Sequence, residues 1–282
     1  MPAKKKKMFG KIISYAILII FGVLMCYPLI WMFFASFKTN AEIFAGVRLL
    51  PESFSFESFR YGWKGVGGNS YSIFFTNSFL LVVPTTILTV VSSALVAYGF
   101  ARFEFRAKKI LFTILLGTLM LPNAILIIPR YTIFRDFNVL DSYYPFYLMA
   151  AFACYPFFTY MLVQFIRGIP KELDEAAYID GCGSFGILVR VLLPLLKPAL
   201  FSAGLFQFLW TYNDYFNSLI YISSIKKYTV SLALRMTMDN EATTAWNSIM
   251  AMSCLVVLPV VVLFFLCQRY FIEGIATTGL KG

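Results

Sequence analysis

The 282-residue chain contains no histidine. Histidine is the commonest general acid or base near neutral pH and the commonest metal ligand. The sequence also has no paired acids and no cluster of ligands at the spacing that catalysis or metal binding requires. These absences argue against a membrane enzyme, and they predict neither a catalytic residue nor a metal site in this chain.

Cysteine is also scarce, with five residues in the whole chain. None of them forms a Cys-x-x-Cys pair, and most fall in apolar stretches, where a thiol behaves as a small hydrophobe. The sequence therefore indicates neither a disulfide framework nor a thiolate metal site. The cysteines in apolar stretches are Cys26, Cys154, Cys254 and Cys267.

Charged residues make up only 13% of the chain, whereas hydrophobic residues make up 60% and the mean hydropathy is +0.75. Soluble domains carry about a quarter charged residues, so this composition is typical of a polytopic membrane protein. At about 20 residues for each span, we predict an all-α fold with six transmembrane helices. The predicted spans are 12–36, 72–99, 110–129, 143–165, 199–222 and 246–268.

The net charge of +10 is concentrated at the ends of the apolar spans. Most Lys and Arg residues, beginning with the run Lys4–Lys7, lie in segments that are cytosolic if the N-terminus is cytosolic. The positive-inside rule therefore places both termini in the cytosol, with lipid around the spans. This predicts a basic tail over 1–11, a membrane domain over 12–268 and a second tail over 269–282. Because the basic residues form no surface stripe, no nucleic-acid partner is expected.

Residues 167–198 form the most structured polar segment of the chain, set between two apolar spans. Pro170 suits the first turn of a helix. Acidic side chains at Glu172, Asp174 and Glu175 follow near the positive end of that helix. We expect these carboxylates to point outward, where another protein can contact them.

This segment divides into two helices at Gly181, where a left-handed backbone costs glycine little. Ser184 is expected to cap the second helix, which runs toward Pro194. Helical spacing gives the first helix a shallow face that the backbone of another protein can approach closely. That face comprises Leu173, Ala176, Ala177 and Asp180.

The order and spacing of this segment resemble the EAA loop of bacterial ABC importer permeases. The wider chain is similar to the carbohydrate-uptake branch of that family, the maltose and multiple-sugar permeases, including at 210–215 and 268–274. Two positions depart from the family pattern, since Cys182 replaces the usual alanine and Leu188 replaces a frequent phenylalanine. The matching residues are Glu175-Ala176-Ala177, Asp180-Gly181, Leu192-Leu193-Pro194 and Pro198.

The resemblance implies a type I ABC importer permease fold in the bacterial cytoplasmic membrane. Residues 167–198, here called the EAA loop, would carry a coupling helix that docks on a separate ATPase. ATP and Mg²⁺ would bind to that ATPase, so this chain needs no cofactor of its own. The expected partners are an ABC ATPase dimer, a second homologous permease and an extracytoplasmic sugar-binding protein. The expected ATPase-coupling residues are Glu175, Ala176, Ala177, Asp180, Gly181 and Pro194.

Asp214 is the only acidic residue inside a predicted span, where a carboxylate is costly enough to suggest a function. Its neighbours Tyr212, Asn213, Tyr215 and Asn217 offer aromatic faces and amide groups. Sugars require that combination, because their C–H faces stack on rings while their hydroxyls need hydrogen bonds. These five residues are therefore candidates for the substrate pathway. A helix-packing cluster or an aromatic belt at the membrane interface would explain them equally well.

The C-terminal residues 274–282 superficially resemble a phosphate-binding loop. However, Leu280 separates the second glycine from the lysine, and no Ser or Thr follows, so we expect no nucleotide binding. The family resemblance instead implies that this tail contacts the ATPase through Gly279, Lys281 and Gly282. A solvated tail is the alternative.

Together these features predict a permease subunit that imports a sugar or oligosaccharide by alternating access, driven by ATP hydrolysis on another protein. An ABC permease for a non-sugar solute, such as glycerol phosphate or a polyol, fits the same residues. An ion-coupled secondary transporter is a third hypothesis, which predicts buried carboxylates and often inverted repeats. Only Asp214 meets the first condition, and no clear internal repeat is visible.

Overall fold

The computed structural model describes residues 2–46, 48–239 and 245–279. Over these residues the chain is helical and has no β-strand, which confirms the all-α fold. The helices are α1 (Pro2–Ala35), α2 (Asn40–Phe44), α3 (Glu57–Trp63), α4 (Tyr71–Arg102), α5 (Lys108–Leu119), α6 (Asn123–Asp136), α7 (Tyr144–Ala151), α8 (Pro156–Arg167), α9 (Glu172–Ile179), α10 (Ser184–Ile187), α11 (Leu193–Leu195), α12 (Lys197–Tyr212), α13 (Tyr215–Tyr221), α14 (Val230–Asp239) and α15 (Trp246–Gly279), with a π-helix at Leu188–Leu192 and a 3-10 helix at Ile225–Lys227.

Four helical segments of the described chain are long and apolar enough to cross a membrane. Two further candidates are pairs of helices bent sharply at a short break, and counting each pair as one span gives up to six. The polytopic membrane character is thus confirmed. The four segments are Lys11–Ala35, Tyr71–Arg102, Tyr144–Arg167 and Trp246–Gln268, and the bent pairs are Lys108–Leu119 with Asn123–Asp136 and Ser184–Leu195 with Lys197–Tyr212.

The third expected span, 110–129, is not one continuous helix. The axes of α5 and α6 differ by 109°, and Pro122 between them is extended, with φ −61° and ψ 136°. Because the residue before a proline also avoids helical geometry, the break falls just before Asn123. α6 then continues to Asp136, which places Arg130 inside a helix instead of in a loop.

The expected spans 143–165 and 199–222 are interrupted as well. A turn that contains Ala153, whose φ of 53° lies in the left-handed region, separates α7 from α8. α12 ends at Tyr212, and Asp214 is the N-cap of α13. Asp214 therefore lies at a helix break. The continuous membrane helix that the sequence predicted over 199–222 is not observed.

Both ends of the described chain are more helical than expected. α1 begins at Pro2, so residues 2–11 continue the first apolar helix. α15 runs to Gly279 and takes in most of the segment 269–282. These two helices are therefore longer than the hydrophobic thickness of a bilayer requires.

The chain packs as two compact units. The first has its described residues in Met1–Ser70 and Leu234–Leu258, and the second in Tyr71–Ala233 and Pro259–Gly282. In the second unit α4 is the central helix and packs against α7, α8 and α12. Small buried side chains on α4, such as Ala97, permit this close approach, as is usual where helices meet in a membrane.

The first unit is held together by contacts around α2 and α3. The ring of Phe37 packs edge-on against Phe56 at 5.3 Å between centroids. Lys38 is only 2% exposed, and its ammonium group donates to the carbonyl of Arg48. The aliphatic stem of this lysine is therefore inside the unit while its charge is met by the loop backbone.

A polar clamp in the second unit joins the loop before α7 to the loop after α13. Asp141 accepts hydrogen bonds from the backbone N–H of Ser224 at 2.8 Å and from its hydroxyl at 2.6 Å. It also accepts from the Ser223 N–H at 3.0 Å and from Lys227 Nζ at 3.0 Å. Partial burial opposes ionisation of this carboxyl, but the hydrogen bonds outweigh it and lower the pKa of Asp141.

Candidate functional site

The EAA loop begins with α9, which ends in a Schellman motif. Gly181 has φ 82°, and its N–H donates to the carbonyl of Tyr178 at 3.0 Å. The N–H of Cys182 reaches back to the carbonyl of Ala177 at 2.9 Å. The left-handed stop that the sequence predicted at Gly181 is confirmed, and the residue is glycine because other side chains are strained there.

Two details at the helix starts differ from expectation. Pro170 does not occupy the first turn of α9, because it precedes the N-cap residue, Lys171. Ser184 does not cap the second helix, since it is the first residue of α10 and the N-cap is Gly183, without a side-chain hydrogen bond. The extended backbone of Gly183, with ψ 167°, sets the entry into α10 instead.

Asp174 turns inward instead of presenting its carboxylate to a partner. Its Oδ2 lies 2.5 Å from Nε of Arg102, and the two side chains are 17% and 6% exposed. Arg102, the last residue of α4, also donates from Nη2 to the carbonyl of Ile169 at 3.0 Å. One turn earlier, the Tyr98 hydroxyl donates to the carbonyl of Ser184 at 2.9 Å. The EAA loop is thus fastened at two points to a single membrane helix.

The other motif residues of α9 divide between surface and core. Glu175, Ala176 and Asp180 are exposed. Ala177 is buried and belongs to the core that α4 and α8 form with the second half of the loop. The shallow face is therefore narrower than predicted, because Ala176 is open to another protein while Ala177 holds α9 against the bundle.

Three large apolar side chains beside the motif are exposed and were missed by the sequence analysis. Tyr178 is 72% exposed, Ile179 84% and Phe185 71%. Exposed apolar surface on an otherwise polar loop is typical of a contact site for another protein. The signal in the sequence was the position of these residues on both sides of the Gly181 turn.

Pro194 lies within the second helical half of the EAA loop. The backbone just before it, Leu188–Leu192, is π-helical. Proline has no N–H and its ring crowds the preceding turn, so a wider turn accommodates it. Leu188 and Leu192 are buried at 2% and 0% exposure, and they anchor this half of the loop in the core.

A second candidate site is a cavity of about 1220 Å³ in the second unit. Of the five residues expected along a substrate pathway, Asn213, Asp214 and Asn217 line this cavity. Tyr212 and Tyr215 are not among the described residues of its wall. Tyr212 is instead buried in the helix packing, at 2% exposure.

A chain of hydrogen bonds runs along the cavity wall between two helix breaks. Arg130 Nη1 donates to Asn123 Oδ1 at 2.9 Å, and Asn123 Nδ2 donates to Asn217 Oδ1 at 3.5 Å. Asn217 then donates from Nδ2 to Asp214 Oδ2 at 2.7 Å. Asn123 begins α6 and Asp214 caps α13, so both breaks face the cavity. Arg130 and Asn123 were missed because hydropathy does not show that α5 and α6 diverge.

Aromatic rings lie beside the polar groups in the cavity wall. Trp210 is 50% exposed, and its ring lies 5.1 Å from that of Phe157 between centroids. Both residues line the cavity beside the amide, carboxylate and guanidinium groups. This wall offers ring faces for C–H surfaces together with donors and acceptors for hydroxyl groups.

The expected ATPase contact of the C-terminal segment falls mostly outside the described residues. Gly279 is the last residue of α15. Lys281 and Gly282 lie outside the described residues. Contact of these three residues with an ATPase therefore stays a prediction.

Comparison with known proteins gives a consistent result along the chain. Residues 89–277 match the family described as binding-protein-dependent transport system inner membrane component. The probable ABC transporter permease protein YurM of Bacillus subtilis (strain 168) is 32% identical, with 99% of this chain and 91% of YurM covered. The arabinooligosaccharides transport system permease protein AraQ of the same organism is 28% identical, with 93% and 92% covered.

A solved structure shares the fold. It is the crystal structure of a bacterial ABC transporter involved in the import of the acidic polysaccharide alginate, and one of its chains matches with a TM-score of 0.82. The match covers 94% of this chain and 97% of that chain at 22% identity. With the family match over most of the chain, an all-α membrane fold and an EAA loop in place, this protein belongs to the inner membrane components of binding-protein-dependent ABC transport systems.

Proposed function

We propose that this chain is the permease subunit of an ATP-driven importer that moves a sugar or oligosaccharide into the cell by alternating access. Its partners would be an ABC ATPase dimer that binds ATP and Mg²⁺, a second homologous permease and an extracytoplasmic sugar-binding protein. Both termini would be cytosolic, in the bacterial cytoplasmic membrane. The observation that carries the proposal is helix α9, which packs against α4 and ends in the Gly181 turn, in a chain that belongs to the importer family.

The surface of α9 supports its assignment as the ATPase-coupling helix. Glu175 and Asp180 offer charge, Ala176 leaves room for close approach, and Tyr178 and Ile179 offer apolar contact. Interfaces combine a buried apolar centre with a polar rim in this way. Closure of the ATPase dimer on ATP would then displace α9 as a rigid body.

The cavity supports passage of a carbohydrate. Charged and amide groups within apolar helices are costly unless they serve binding or transport. Arg130, Asn123, Asn217 and Asp214 are such groups, and Trp210 adds an open ring face next to them. Helix breaks that meet at a polar cavity are a recurrent way for membrane transporters to build a substrate site.

The test is purification of the tagged chain from its native membrane in mild detergent. We expect an ABC ATPase and a second permease to copurify, and the reconstituted complex to import sugar only with ATP and a binding protein. The cargo panel should include oligosaccharides, glycerol phosphate and polyols. If only glycerol phosphate or a polyol is imported, the chain is still an ABC permease, but its substrate is not a sugar. A chain recovered alone that transports without ATP would instead indicate a secondary transporter.

A further inference from the structure

The C-terminal end of α4 holds the EAA loop through a buried ion pair. The Arg102 side chain is 6% exposed, and its Nε lies 2.5 Å from Oδ2 of Asp174. The same guanidinium donates to the carbonyl of Ile169, two residues before α9 reaches its N-cap. One side chain therefore fixes both the segment that enters α9 and the first turn of α9.

A second contact from the same face of α4 holds the start of α10, beyond the Gly181 turn. Tyr98 and Arg102 are four residues apart and so lie on one side of the helix. Tyr98 is 8% exposed and donates to the carbonyl of Ser184 at 2.9 Å, beyond the Gly181 turn. The start of α9 and the start of α10 are thus attached to one helix by largely buried side chains.

The covalent connections of α9 are softer than these contacts. On one side the chain passes through Gly168, and on the other through Gly181 and Gly183, followed by the π-helical turn Leu188–Leu192. Glycine-containing turns and π-helical turns absorb changes in backbone angles readily. Changes in the backbone angles of these connections would therefore absorb part of any displacement of α9. Side-chain contacts are needed to transmit the rest to the helix bundle.

We propose that Arg102 and Asp174 are positioning residues that transmit the displacement of α9 to α4. α4 packs against α7, α8 and α12, so a push on its end reaches the helices around the cavity. Tyr98 acts with the ion pair, because it holds the start of α10 to the same helix. The inference rests on the proposed coupling of α9 to an ATPase.

The experiment compares import and ATP hydrolysis by the whole complex in proteoliposomes. For Arg102→Met and Asp174→Asn we expect the complex to assemble and hydrolyse ATP, while the number of molecules imported per ATP falls by about tenfold. The exchange Arg102→Asp with Asp174→Arg should recover part of this ratio, because it restores opposite charges at the same two positions. Glu104→Gln and Arg106→Met, both at exposed positions outside the EAA loop, are the matched controls and should keep the normal ratio.

Tyr98→Phe provides a variant that keeps the fold if an ion-pair variant fails to assemble. It retains the ring and its edge-on contact with Phe103 at 5.1 Å but loses the bond to Ser184. We expect a smaller fall in the same ratio, without loss of ATPase activity. Normal import per ATP in both Tyr98→Phe and the ion-pair variants would overturn the proposed transmission from α9 to α4 and leave the proposed function intact. Absence of ATP-dependent import by the unmutated complex would overturn both the transmission from α9 to α4 and the proposed function.

Discussion

A change from Gly181 to valine tests the geometry of the EAA loop at an open position. A Cβ built there has no atom within 4 Å, so the main penalty is the backbone conformation at φ 82°. That left-handed region costs a non-glycine residue about 1–2 kcal/mol, and a β-branched residue is among the least tolerant. The ratio of the native turn to opened turns should therefore fall by about 5- to 30-fold.

Two matched variants separate this backbone effect from other consequences of the substitution. Gly183→Val places the same side chain two residues away, where φ is −73° and no atom lies within 4 Å either. An extended backbone accommodates valine, so this control should lower import less than Gly181→Val does, and the remaining loss reflects the poorer N-cap that valine makes for α10. Gly181→Asn should lie between the two, because asparagine populates the left-handed region more readily than valine does.

The assay is the number of molecules imported per ATP hydrolysed, together with recovery of the ATPase on the tagged chain. We expect Gly181→Val to lower both quantities, because Tyr178 and Ile179 lose their fixed position relative to the second half of the loop. Equal import by Gly181→Val and Gly183→Val would refute the argument. It would show that the left-handed turn is not what positions α9.

Two further predictions concern the cavity and the loop clamp. Arg130→Gln should lower import by about 10- to 150-fold with ATP hydrolysis retained, because a charged hydrogen bond of about 1.5–3 kcal/mol is lost. Exposed Arg135→Gln should import normally, and equal import rates of the two variants would remove Arg130 from the pathway. Asp141→Asn should lower the free energy of unfolding by about 1–3 kcal/mol, because the neutral amide accepts more weakly from Ser224 and Lys227. The control Asp136→Asn, at an exposed position, should change the free energy of unfolding little. The pKa of Asp141 is lowered on folding, so its contribution is complete above its ordinary pKa of about 4 and is lost as the pH falls below that value. Thermal unfolding of the purified complex, measured at pH 7 and at about pH 2.5, checks this, and equal differences between the two proteins at both values would contradict it.

The helices could be predicted from the sequence because burial in lipid imposes long apolar runs. Hydropathy does not register the direction of a helix, so the 109° break at Pro122 and the break at Asp214 were not predicted. These breaks decide which polar residues meet, and for that reason Arg130 and Asn123 were missed. The sequence located the polar residues near 214 but could not show which of them face the cavity.

The EAA loop shows the same division between local and distant information. Gly181 was predictable because one residue and its backbone angles determine the Schellman turn. The pairing of Arg102 with Asp174 was not, because it joins two helices far apart in the chain and depends on how they pack. The outward direction expected for Asp174 was wrong for this reason, since an outward carboxylate would leave the buried charge of Arg102 without a partner.

The exposed side chains of Tyr178, Ile179 and Phe185 have a consequence for how cells make this protein. A copy inserted in the membrane without its partner displays these apolar groups in an aqueous compartment, where chaperones and proteases recognise them. Orphan copies should therefore be short-lived, and their half-life should lengthen when the partner that covers α9 is produced at the same time. The amount of this subunit in the membrane is then limited by its partner's supply, without a dedicated regulator.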